Sequence, residues 1–96
     1  MSNLFDLTGR VVIVTGSGRG LGKAIATGVG RAGGSVVVCS RTLAEAEATA
    51  AEIVANGSPS LAVQVDTGDR ASCERLMQST VDHFGRIDVL VNNAGI

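Results

Sequence analysis

The sequence predicts an α/β fold: an open parallel sheet of strands and helices in the order βαβαβαβ, with helices on both faces. Two observations carry that prediction. Valine-rich or leucine-rich apolar runs begin at positions 11, 36 and 61, one every 25 residues, and a fourth begins at 87. Between them, apolar residues recur at helical spacing, so strands alternate with helices as in a sheet joined by right-handed crossovers.

The runs are Val11-Val12-Ile13-Val14, Val36-Val37-Val38, Leu61-Ala62-Val63-Gln64-Val65 and Ile87-Asp88-Val89-Leu90-Val91. Short, nearly continuous apolar runs suit strands covered on both faces. A repeat solenoid would also show a fixed period, but the intervening segments share no sequence and carry no leucine-rich consensus. In the first helix Leu21, Ala24, Ile25 and Val29 mark the apolar face, and Gly33-Gly34 offers the left-handed residue that ends it. The second helix opens on Thr42-Leu43-Ala44-Glu45 and runs to Asn56-Gly57, with Pro59 beyond. That opening is a capping box, in which the Thr hydroxyl and Glu carboxylate satisfy free backbone donors. The third helix starts near Asp69, carries Cys73, Leu76, Met77, Thr80, Val81 and Phe84 on one side, and stops at Gly85. Met77 and Phe84 read as core, and His83, the single histidine, as structural or solvated near a helix C-terminus.

With 96 residues the chain forms one domain at most, and a net charge of -1 without a basic run excludes a general nucleic-acid or membrane-surface binder. No apolar run approaches the roughly 20 residues that cross a bilayer, and no basic segment precedes an apolar stretch at the start, so the expected location is cytoplasmic. Cys39 and Cys73 lack metal-ligand spacing and read as small apolar residues. The chain contains no tyrosine, which excludes any mechanism of these residues that uses one.

The loop Thr15-Gly16-Ser17-Gly18-Arg19-Gly20-Leu21-Gly22 joins the first strand to the first helix. Glycines there let backbone approach a phosphate, and a helix N-terminus presents free N–H groups and partial positive charge to it. A simple tight turn would need one or two glycines rather than four. A Walker A motif fits at Gly22-Lys23 but has Ser17 where it needs Gly and Ala24 where it needs a hydroxyl for Mg²⁺. The GxGxxG fingerprint also fails in register, because Leu21 and Lys23 stand where its third glycine would fall.

What remains is a Thr-Gly-x-x-x-Gly-x-Gly pattern, with Asp66 closing the third strand run and Asn92-Asn93-Ala94-Gly95 after the fourth. Together these resemble the short-chain dehydrogenase/reductase family over nearly the whole chain. The resemblance implies a Rossmann-type sheet of strand order 3-2-1-4, truncated after the fourth strand. Residues 1–96 would then be the amino-terminal part of a single NADP-binding domain. It further implies that Gly16, Gly20 and Gly22 form the turn under a cofactor pyrophosphate, touched by Ser17, Arg19 and the backbone of Leu21. Asp66 would accept from the adenine amino group with Thr67 beside it, unless Asp66 is only a helix-entry carboxylate. Asn93, Ala94 and Gly95 would pass along the cofactor ribose, although a buried amide at Asn93 serves a sheet equally well. The opening Leu4-Phe5-Asp6-Leu7-Thr8-Gly9-Arg10 resembles the lead-in of sugar-acid dehydrogenases in the family.

The end of the second strand bears on the cofactor. A carboxylate there would bond the ribose 2′-hydroxyl of NAD(H), whereas an Arg accommodates the 2′-phosphate of NADP(H). Here Ser40 stands at the carboxylate position and Arg41 follows. Arg19 and Arg41 both sit at helix N-termini, where the dipole disfavours a cation unless an anion is present. They therefore read as a phosphate clamp and predict NADP(H); the competing reading has them solvated or paired with Glu45.

The family's catalytic Ser, Tyr and Lys lie beyond the Asn-Asn-Ala-Gly motif, so the expected catalytic set within these residues is empty. The chain is expected to be part of a longer oxidoreductase, a homo-oligomer by the resemblance, acting on an alcohol or ketone. Two other readings stay open: a stand-alone, non-catalytic dinucleotide-binding module, and a phosphate-binding protein of another class. The bare fourth strand and a sheet face covered by one helix predict exposed Val and Ile side chains.

Overall fold

The structure is a computed structural model and describes residues 6–93. Its order is β1 (Val11–Val14), α1 (Gly20–Arg31), β2 (Ser35–Ser40), α2 (Leu43–Ala55), β3 (Ser60–Gln64), α3 (Arg70–Phe84) and β4 (Val89–Val91). The four strands form one parallel sheet in the order β3-β2-β1-β4, as the sequence predicts.

Register divides the apolar residues between two faces. Val12 lies beside Val36, and Ile13 beside Val37, so alternate residues of neighbouring strands share a face. Val12, Val14, Val36 and Val38 pack with Ala26 of α1 and Ala46, Ala50 and Ile53 of α2. Val11, Ile13, Val37 and Cys39 pack with Val65 and Leu76, against partly buried Met77 and Phe84 of α3. Two helices thus cover one face and one the other. Each fully buried Val or Ile contributes on the order of 1.5–3 kcal/mol, and the two central strands collect most of it.

Three expectations are corrected. The first concerns burial on both faces: β1 and β2 are buried throughout, but β3 and β4 form the edges of the sheet and stay half-buried or exposed. The side chains left in water belong to the β4 region, Ile87, Val89 and Leu90, while Val11 and Ile13 are covered. The second concerns α1, whose buried line is Gly22, Ala26 and Gly30; Leu21 is 63% exposed and Ala24 also faces water. A Cβ on Gly22 would stand 2.1 Å from the Gly16 carbonyl oxygen, so α1 turns its smallest residues inward to lie against the loop. The third concerns the capping box. The Thr42 side chain caps nothing, and the Thr42 N–H donates to Ser40 Oγ at 3.1 Å rather than to Glu45.

The opposite end of the sheet is held by Asp88. Its Oδ2 accepts from the Val11 N–H at 2.8 Å, and its Oδ1 pairs with Arg86 at 2.7 Å and Arg10 at 3.6 Å. The Arg86 bond, then the Val11 N–H, hold its carboxyl below the usual carboxylate range.

Candidate functional site

The C-terminal ends of β1, β2 and β3 open into a crevice of about 390 Å³ whose lining includes Gly16, Gly18, Arg19, Ser40, Arg41 and Thr67. In open α/β sheets ligands bind at this end of the strands. Five of the sequence-predicted residues, Gly16, Arg19, Ser40, Arg41 and Thr67, therefore meet there from three separate loops, whereas Asp66 lines a second hollow that it shares with Arg41.

Each plays a distinct geometric part. Gly16 and Gly20 take positive φ values of 63° and 62°, the left-handed region open to glycine. Gly22 is buried where the Gly16 carbonyl and Asn93 Nδ2 approach too closely for a side chain. Arg19 is the N-cap of α1 but offers no side-chain cap, and no acidic residue occupies the first turn. The exposed Leu21 lies within that open turn. Among the described residues neither Arg19 nor Arg41 has an ion-pair partner, Glu45 included.

Ser17 is placed differently. It is fully buried; its Oγ donates to the Val14 carbonyl at 2.5 Å and accepts from the Cys39 N–H at 3.0 Å. Its backbone N–H returns to the Cys39 carbonyl at 2.8 Å. Ser17 thus staples the loop to β2, and its hydroxyl points into protein. Asp66 lies at the exposed end of β3, where its Oδ1 accepts from the Gly68 N–H at 2.9 Å and its own N–H donates to Ser72 Oγ at 3.0 Å. Asn93 donates from Nδ2 to the Gly16 carbonyl at 3.3 Å and from its backbone N–H to Thr15 Oγ1 at 3.0 Å. Ala94 and Gly95 lie outside the described residues.

Two supporting hydroxyls are not evident from sequence. Thr15 joins the ends of β1 and β4: its N–H donates to the Val91 carbonyl at 3.0 Å, and its Oγ1 meets Asn92 Oδ1 at 3.2 Å. Thr49, fully buried on α2, donates to the Gly18 carbonyl at 3.1 Å. A hydroxyl on the inner line Ala46, Thr49, Ala50, Ile53 is the signal that could have found it, because a buried hydroxyl needs a partner. Cys39 also lines the crevice, but burial, aided by nearby Cys73, pushes its thiol up to about 12, so it stays protonated and inert.

An anionic dinucleotide fits this donor set: an uncapped helix start, two guanidiniums without ion partners, and room in the range of small-ligand sites. The comparison with known proteins decides the family, because the short chain dehydrogenase family matches residues 10–96. The chain belongs to the short-chain dehydrogenase/reductase family. It is 44% identical over 93 residues to versicolorin reductase 1 of Dothistroma septosporum, covering 96% of this chain and 35% of that protein. It is 46% identical over 91 residues to a 3-oxoacyl-[acyl-carrier-protein] reductase of Synechocystis, covering 94% and 37%. The crystal structure of a hydroxysteroid dehydrogenase from Escherichia coli superposes with a TM-score of 0.92 at 35% identity, over 95% of this chain and 37% of that one. The chain thus spans about a third of the length of these relatives and corresponds to their amino-terminal part.

Membership in the short-chain dehydrogenase/reductase family implies a nicotinamide dinucleotide as cofactor. Among the described residues no helix is long and apolar enough to cross a membrane.

Proposed function

We propose that these residues bind NADP(H) and form the dinucleotide-binding portion of an oxidoreductase that transfers hydride between NADP(H) and an alcohol or ketone. The observation that carries the cofactor choice is the end of β2. Ser40 stands where NAD(H) binding calls for a carboxylate, and Arg41 beside it has no ion partner among the described residues.

When bound, the nicotinamide supplies or accepts the hydride. The protein's part is to grip and orient. The first turn of α1 offers N–H groups to the pyrophosphate, and Arg19 and Arg41 take a 2′-phosphate with their fork-shaped donors. Asp66 keeps Oδ2 available for the adenine amino group, since its bond from the Gly68 N–H uses Oδ1. Asn93 braces the Gly16 backbone and so holds the loop to the end of β4. Proton transfer to or from the substrate oxygen would rest on residues outside these 96, which contain no tyrosine.

Titration of the chain with NADPH and NADH, followed by nicotinamide fluorescence, tests the proposal. NADPH should bind at least about tenfold more tightly, and Arg41→Ala should remove about tenfold of that while leaving NADH nearly unchanged. Unchanged NADPH affinity in Arg41→Ala would overturn the cofactor assignment.

A further inference from the structure

The crevice contains a third charged side chain. Glu45, on the first turn of α2, lines it beside Ser40 and Arg41. Its Cβ lies 2.9 Å from where a Cβ on Gly18 would stand, so the side chain starts in contact with the glycine loop. In a capping box this carboxylate would fold back onto the Thr42 N–H. Ser40 Oγ takes that donor instead, which leaves Glu45 half-buried without a side-chain hydrogen bond or ion pair among the described residues. The α2 dipole stabilises a carboxylate at this position without a salt-bridge partner.

We propose that Glu45 is a specificity-determining residue of the nucleotide site. Its carboxylate opposes a phosphate on the adenosine ribose and favours free ribose hydroxyls, so it sets the ratio of NADP(H) to NAD(H) binding against Arg19 and Arg41. The physical reason is the charge balance of the crevice, two guanidiniums against one carboxylate. A phosphate near Glu45 meets like charge, whereas a ribose diol offers it donors. The usual determinant of NAD(H) binding is a carboxylate at the end of the second strand; here a carboxylate enters the same space from a helix. This inference rests on the proposed dinucleotide site but not on which cofactor the chain prefers.

The test is the ratio of dissociation constants for NADPH and NADH, measured by fluorescence titration in the chain and in Glu45→Gln, Glu45→Asp and Glu47→Gln. Glu45→Gln should move the ratio about threefold or more toward NADPH, the scale of a partly exposed charge interaction. The shift should shrink as salt is raised. Glu45→Asp keeps the charge and should stay nearer the unsubstituted ratio. Glu47 is exposed on the same helix outside the crevice, and Glu47→Gln should leave the ratio unchanged. A purely structural role for Glu45 would lower both affinities together, and an unmoved ratio would overturn the inference. If the chain prefers NADH and Glu45→Gln still shifts the ratio toward NADPH, the NADP(H) assignment falls and this inference stands. Binding of neither cofactor would overturn both.

Discussion

Helices α1 and α3 begin in opposite ways. At α3, Asp69 caps the first turn with its own side chain, Oδ1 accepting from the Ala71 N–H at 3.1 Å. Ser72 ties the same turn to the end of β3, and Gly85, at φ 80°, closes the far end. At α1 the N-cap is Arg19, which supplies no acceptor and brings positive charge to the positive end of the dipole. Both helices cross between parallel strands and pack on the sheet, so the backbone problem at their starts is the same. The protein solves it internally at α3 and leaves it open at α1, which is where the crevice lies. In the proposed function a bound anion would complete both the open helix start and the guanidinium beside it.

The largest break in that contrast comes from Gly22→Ala. A Cβ there would stand 2.1 Å from the Gly16 carbonyl oxygen and 2.6 Å from Asn93 Nδ2. The turn must move, and we expect a loss of about 2–3 kcal/mol in chemical denaturation, with NADPH affinity falling alongside it. Arg19→Asp should separate the two quantities. It gives α1 the kind of cap that α3 has, so stability should rise by about 0.5–1 kcal/mol in the same measurement while NADPH affinity drops about tenfold. The reciprocal change, Asp69→Ala, should cost about 1 kcal/mol and leave cofactor affinity nearly unchanged, because Asp69 is not among the residues that line the crevice. A fall in NADPH binding in Asp69→Ala equal to that in Arg19→Asp would erase the distinction between the two helix starts.

The fold was legible in the sequence because the signals are local. A run such as Val36-Val37-Val38 has few alternatives to a covered strand, and Asp69 and Gly85 bracket α3 where the residue types predict. The structure departs from the sequence pattern where one residue type serves two purposes. Leu21 has helical spacing to Ile25 yet faces water, because the glycines of α1 pack more closely than leucine can. Thr42 and Glu45 spell a capping box, but Ser40, two residues upstream, competes for the same N–H and takes it. Asp88 sits within an apolar run, and only its meeting with the Val11 N–H across the sheet explains it.

The candidate site was legible as residue types and less so as roles. Gly16, Arg19, Ser40, Arg41 and Thr67 line one crevice, as their places in the motif suggest. Ser17, next to Gly16, turns inward and bonds Val14 and Cys39. The bonds of Thr15 and Thr49 are not legible from residue type alone, because each hydroxyl's partner, 76 residues away for Thr15 and 31 for Thr49, is brought near only by the finished sheet.

By itself the sequence determined the alternation of strands and helices, the glycine loop at the first crossover, and the absence of a carboxylate at the end of the second strand. Those features depend on residues close together in the chain, where hydrophobic period and backbone preference act directly. Only the tertiary structure decided which strands became edges, which face of α1 turned inward, and which of Thr42, Ser40 and Glu45 bonded to which. Those outcomes are competitions between distant groups for the same space or the same donor, and packing resolves them after the chain has folded.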